Sequence, residues 1–266
     1  MRVFLKLGGS LITDKDQPYT ARRDVIRRIA AEIANCWQKD PDLQILLGHG
    51  SGSFGHYAAK DLGTRDHVDS PQEWLGFQKV WAAAHALNQI LLEEMSAANL
   101  PVISLPPSAA VSAQARKPRQ WSTYPIQSAL EHNLIPIIFG DVIFDEEMGG
   151  IIYSTEDLFL PLLPMLQPQM VLLAGKEPGV WADYPKNTRV IPLITPASYA
   201  ATSLTIQSSA SIDVTGGMAA KVQLMLQTVQ AYPEITVRIF SGEESGTISA
   251  ALQGEIIGTT IKTKSE

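Results

Sequence analysis

The chain has 266 residues, 45% of them apolar, with 21 Lys and Arg against 27 Asp and Glu, enough apolar material for the core of one large α/β domain. A formal net charge of -6 without a block of consecutive basic residues excludes strong electrostatic attraction to nucleic acid or an anionic membrane, although a small anion can still be held locally. The single cysteine, Cys36, has no partner for an internal disulfide, the opening MRVFLKLGGS lacks the features of a secretory leader, and no apolar run reaches the ~18 residues of a membrane helix, so a cytoplasmic location is expected.

In chain order, VFLKL predicts a strand, and Val25, Ile29, Ile33 and Trp37 at four-residue spacing predict a helix over 21–37. QILL predicts a second strand and leads into the glycine-rich LGHGSGSFGH. A long helix is predicted over 71–98, then a strand at PVISL, a short helix near 123–132 and a strand at LIPIIFG. Polar, proline-marked ARKPRQWSTYP, residues 115–125, reads as a mobile surface loop. GGIIYS follows, then an apolar helix over 156–166, a strand at MVLLAG, and a helix in GGMAAKVQLMLQTVQAY with Val222, Leu226 and Val229 on one stripe. ITVRIF, a last helix and EIIGTTIK close the pattern. Unbroken apolar strands alternating with helices imply an α/β fold, a three-layer αβα sandwich with a largely parallel central sheet and ligand sites at the strands' carboxyl ends. No repeat or linker divides it, so residues 1–266 are expected to form one domain.

Glycine clusters fall at those ends: KLGGS after the first strand, GHGSGSFGH after the second, and DVTGGMAAK entering a late helix. Glycine lets backbone N–H groups approach phosphate oxygens, and a helix start adds a favourable dipole. Each cluster alone also suits an ordinary tight turn. Lys6 and Lys221 add mobile positive charge to two of them, the combination that a migrating phosphoryl group needs. Neither GxxxxGK[ST] nor GxGxxG is present, and the histidines and cysteine show no zinc spacing. After the second cluster, Trp74, Phe77, Val80, Trp81, Ala84 and Leu87 form an apolar helical stripe that is either core or the wall of a slot.

VFLKLGGSLITDK, HGSGSFGH, FGDVIFD and DVTGGMAAKV, in this order, resemble the amino acid kinase superfamily, and the histidine-ended glycine loop together with DVTGGM most resembles its isopentenyl phosphate kinases. The similarity runs over nearly the whole chain. It implies an amino-terminal half that holds the phosphate acceptor, a carboxyl-terminal half that holds ATP, and transfer of the γ-phosphoryl group to isopentenyl phosphate. Mg²⁺ would arrive with ATP, and a homodimer would form through amino-terminal helices.

By the same resemblance, Lys6 would sit between the phosphates, Lys221 would reach the donor and Lys15 would close over both. Gly8, Gly9, Ser10, Gly216 and Gly217 would face ATP, with Gly175, Lys176 and Gly179 of AGKEPGVW. Gly50, Ser51, Gly52, Ser53 and Gly55 would wrap the acceptor phosphate, Gly140 and Asp141 would adjoin it, and His56 would donate to one of its oxygens. The acceptor oxygen is already ionised near neutral pH, so no general base is demanded. His49, His67, His85 and His132 read as structural. Two segments depart from the family pattern. STED stands where the family has an aspartate that orients the lysines, so either Glu156 or Asp157 takes that place, and AGKEPGVW keeps only the end of the usual nucleotide segment. A kinase for fosfomycin or another small phosphate or phosphonate, and a non-catalytic nucleotide or phosphate sensor on the same fold, remain alternatives.

Overall fold

The computed structural model of the chain describes residues 1–60, 67–200 and 217–264. Its main sheet has eight strands. β1 (Arg2–Leu7), β2 (Gln44–His49), β3 (Val102–Ser104), β6 (Ile135–Phe139), β9 (Met170–Gly175), β10 (Leu193–Ile194), β11 (Thr236–Ser241) and β12 (Thr259–Ile261) lie in the order β10-β12-β11-β9-β1-β2-β6-β3. Every neighbouring pair is parallel except β11 and β12. β1, central to the sheet, buries Val3 to Leu7, and Lys6 is the polar break in that run.

Period-two alternation divides the strands between two apolar layers. Val3, Leu5, Leu7, Ile45, Leu47 and Leu172 pack on one side with α2 (Arg23–Lys39), α4 (Pro71–Ala97) and α10 (Thr247–Leu252). Phe4, Leu46, Val171, Leu173, Val237 and Ile239 pack on the other with α6 (Tyr124–Glu131), α7 (Thr155–Phe159), α8 (Leu163–Leu166) and α9 (Gly217–Ala231). The result is the αβα sandwich that the strand and helix alternation predicts. The start of α4 carries Pro71 after a Ser70–Glu73 capping box, which satisfies N–H groups at its amino end.

Two elements differ from the sequence reading. Residues 115–125 are not a loop throughout: β5 (Lys117–Trp121) pairs with β4 (Val111–Gln114), and with β7 (Asp141–Asp145) and β8 (Gly149–Tyr153) they make a second sheet in the order β5-β4-β7-β8. Lys117 to Gln120 are all exposed, and an edge strand tolerates Pro118 because its outer N–H needs no ladder partner. The helix predicted over 156–166 is broken into α7, a 3₁₀ turn at Leu160–Leu162 and α8. Pro161 and Pro164 each lack the N–H that a continuous helix would use there.

Candidate active site

The carboxyl ends of β1, β2, β6 and β9 open into one cleft of ≈ 290 Å³. Its lining joins Lys6, Lys15, His56 and Lys221 with Gly8, Gly9, Ser10, Gly50, Ser51, Gly52, Ser53, Gly55, Gly140 and Gly175. These residues come from separate parts of the sequence and meet because parallel strands end on the same edge of a sheet.

Glycine serves contact between backbones here as well as access to a ligand. A Cβ on Gly9 would lie 2.3 Å from Gly52 N, and one on Gly50 would lie 2.9 Å from Gly9 N, so the loops after β1 and β2 touch main chain to main chain. Gly52 also holds φ +50, and Ser53 N–H donates to Thr13 Oγ1 at 2.9 Å. The ladders run on past the strand ends. Gly8 N–H donates to Ala174 O at 2.7 Å and Gly50 N–H to Leu7 O at 3.0 Å. Contrary to the sequence reading, those two N–H groups are therefore committed to the fold. The N–H groups of Gly9 and Ser10, opening α1 (Gly9–Ile12), and of Gly52, opening α3 (Gly52–Lys60), lie in first turns with no intrahelical acceptor.

Glu156 lies under the cleft. Its Oε1 forms an ion pair with Lys6 Nζ and lies 3.8 Å from Lys221 Nζ. Burial pushes this carboxyl pKa up, but the charges of Lys6 and Lys221 outweigh it and hold the group down at about 2. Among the described residues, this one carboxylate lies against two ammonium groups. Gly48 makes this geometry possible: it pairs in register with Lys6, and a Cβ there would lie 2.4 Å from Thr155 Cγ2 and 2.8 Å from Phe159 Cζ. α7 thus seats directly on β2, fastened by Thr155 Oγ1 donating to His49 O at 2.6 Å. Asp157 is turned to another task. Its carboxylate accepts from Ser154 N–H at 3.0 Å and Ser154 Oγ at 2.7 Å in a capping box that starts α7.

Other candidates stand off the cleft lining. Asp141 is buried, its carboxylate accepting from Ser108 N–H at 3.1 Å and Val142 N–H at 2.9 Å and facing His85 Nε2 at 3.4 Å. Gly179 is closed in by Thr259 Oγ1 and Val190 Cγ1, both 2.6 Å from where a Cβ would stand. Lys176 is exposed; Arg22 holds the Glu243 carboxyl low against burial, and the Lys176 charge adds to that. Gly217 begins α9 at φ +67, one turn before Lys221, whereas Gly216 lies outside the described residues.

His49 is wholly buried between the Gly50 carbonyl and the Asn88 amide, each 3.2 Å from a ring nitrogen, and stacks on Phe139. Burial lowers its pKa to about 4 despite both hydrogen bonds, which keeps it neutral. Of the α4 stripe, Val80 and Ala84 reach the cleft, Leu87 is core, Trp74 and Phe77 pack with Phe144, and Trp81 is 39% exposed. Ala59 and Ile152, which sequence periodicity did not single out, complete an apolar wall beside Tyr153. Gly48, Thr155 and Ser154 were missed too. The Ser154-x-x-Asp157 spacing of a capping box was the available signal that Asp157 was already occupied.

The sequence pattern described as the amino acid kinase family matches residues 1–241. Isopentenyl phosphate kinase of Haloferax volcanii is 32% identical over 266 residues, covering 98% of this chain and 98% of that protein. Isopentenyl phosphate kinase of Methanocaldococcus jannaschii is 30% identical over 270 residues, again covering 98% of both. A solved structure described as X-ray structures of isopentenyl phosphate kinase gives a TM-score of 0.82 at 27% identity, covering 98% of this chain and 100% of that one. With its cationic cleft at the carboxyl ends of a parallel sheet and a family pattern that spans both halves, the chain belongs to the amino acid kinase family.

Proposed function

We propose that the chain transfers the γ-phosphoryl group of ATP to isopentenyl phosphate, giving isopentenyl diphosphate and ADP. The observation that carries this reading is a single cleft in which Lys6, Lys15, Lys221 and His56 meet an apolar wall of Ala59, Val80, Ala84 and Ile152. The relatives that match over nearly their full length are isopentenyl phosphate kinases. Two anionic phosphates must be brought into line, so charge cancellation and alignment are the main demands. Lys6 and Lys221, both held by Glu156, neutralise the group in transit, while Lys15 covers it from the loop after α1. The N–H groups of Gly9, Ser10 and Gly52 bind phosphate oxygens, and the apolar wall takes the hydrocarbon tail.

His56 is exposed on α3 at the cleft and donates a ring N–H to the acceptor phosphate. The nucleophile is a substrate phosphate oxygen, so no side chain has to remove a proton. The amino-terminal half holds the acceptor and the carboxyl-terminal half holds ATP, with Mg²⁺ carried in by the nucleotide phosphates and water. Among the described residues there is no group of three or more His, Cys, Asp or Glu placed to hold a metal ion.

An ADP-release assay against a panel of phosphomonoesters and fosfomycin tests the reading. Turnover with isopentenyl phosphate and none with fosfomycin is expected. ATP binding without turnover on any acceptor would instead make the protein a sensor. His56→Ala should raise the acceptor KM and lower kcat/KM by roughly a hundredfold while leaving the ATP KM near its starting value. Lys221→Ala should act on the donor side. Equal damage to both substrates by His56→Ala would place that ring elsewhere.

We further infer a cytoplasmic homodimer formed through amino-terminal-half helices, among which α4 exposes Leu75 at 59% and Trp81 at 39%. Sedimentation at the mass of one chain would contradict it.

A further inference from the structure

The loop that carries Lys15 is fixed at its base. Thr13 and Ala21 form an antiparallel bridge, Asp14 N–H donates to Thr20 O at 2.9 Å, and Arg22 N–H donates to Ile12 O at 2.8 Å. The Arg22 guanidinium also grips both oxygens of Glu243, at 2.6 and 2.9 Å, on the segment after β11. That fork ties the base of the loop to the carboxyl-terminal half of the sheet.

Beyond the base, residues 15–19 are all exposed, and Lys15 has no ion-pair partner among the described residues. One ring contact runs from this stretch back to the body. The Tyr19 ring stands edge-on to Phe54, with centroids 5.8 Å apart and planes at 88°. Phe54 is buried in α3, two residues before His56 and next to Ser53, whose N–H is held by Thr13 at the loop's base.

Tyr19 adopts φ +52, a region that a bulky side chain enters only when its surroundings impose it. The residue stays 51% exposed, so burial alone gives little reason for that backbone. The geometric consequence does: the ring meets α3 while Lys15, across the same turn, lines the cleft.

We propose that Tyr19 is a positioning residue for Lys15. Its edge-on contact with Phe54 holds the outer part of the loop over the cleft and registers Lys15 against the helix that carries His56. The inference rests on reading the cleft as the site of phosphoryl transfer. Misplacing a charged group by about an ångström is enough to slow an in-line transfer by one or two orders of magnitude.

The test compares Tyr19→Ala, Tyr19→Phe, Lys15→Ala and the double variant Tyr19→Ala/Lys15→Ala, using steady-state kinetics with ATP and isopentenyl phosphate. Tyr19→Ala should lower kcat roughly tenfold with both KM values little changed, and Tyr19→Phe, which keeps the ring, should restore it. The double variant should be no slower than Lys15→Ala alone, because the two residues act through one ammonium group. A readout independent of turnover is trypsin cleavage after Lys15, which should be faster in Tyr19→Ala. Additive losses, or wild-type kcat and cleavage in Tyr19→Ala, would overturn the inference alone. A fully active Lys15→Ala would remove the role given to Lys15 and this inference with it. Absence of transfer by the wild-type chain would sink the proposed function as well.

Discussion

From the first turn of α7, Glu156 serves two ammonium groups at once. Replacing it with Gln removes the charge that Glu156 sets against Lys6, which is only 9% exposed. Breaking a buried pair in this way costs about 3–5 kcal/mol. Glu156→Gln should therefore lower Tm and reduce kcat by roughly a hundredfold or more, with Glu156→Asp intermediate because it keeps the charge and loses reach. Thermal melts and kcat on the same preparations check both. A Gln variant with unchanged Tm would show that the pair adds no stability.

Much of the cleft was legible at this scale. Lys6 and Lys221 could be picked out because each lies beside a glycine cluster at a strand end or helix start, whereas Lys15 and His56 were marked by the family resemblance. The assignment of individual N–H groups was not. Gly8 and Gly50 look like phosphate binders until the parallel ladders are seen to use their N–H groups.

For elements, the decisive contact is α7 on β2. Gly48→Ala would put a methyl 2.4 Å from Thr155 Cγ2 and 2.8 Å from Phe159 Cζ, so α7 would have to move and take Glu156 with it. Overpacking of this kind costs about 1–3 kcal/mol. The variant should melt several degrees lower and lose activity, although residue 48 does not line the cleft; denaturation and kcat measured together would show it, and a fully active Gly48→Ala would mean that α7 is not held so closely. Sequence periodicity found the long helices and the apolar strands because each signal lies within one segment. It mistook β5 for a loop, since an exposed edge strand lacks an apolar face, and it joined α7 to α8 across Pro161 and Pro164 because their apolar content is continuous.

On the scale of the whole molecule, acid sensitivity follows from buried groups at the centre of the sheet. His49 ordinarily titrates near 6.5, and burial lowers it to about 4. The folded state thus binds fewer protons than the unfolded one in that interval. His49's contribution is complete above pH 6.5 and is lost as pH falls towards 4, amounting to about 3 kcal/mol by linkage. Glu156 adds a second loss at lower pH, from its ordinary 4.5 down to about 2. Urea denaturation at a series of pH values should show stability falling below pH 6.5. His49→Asn should flatten the upper part of that fall, and an identical slope in the variant would assign it to another group.

Periodicity, propensity and local charge are properties of short segments, so they revealed most strands and helices of the main sheet, its largely parallel character and the residue types able to handle phosphate. That Glu156 rather than Asp157 faces the lysines, that Asp141 is kept out of the cleft lining, and that Val80 and Ala84 alone of the α4 stripe reach the cleft were settled only by how distant segments pack. Those outcomes depend on how closely separate segments can approach, which is fixed by glycines such as Gly9, Gly48 and Gly52 where one backbone or helix presses on another.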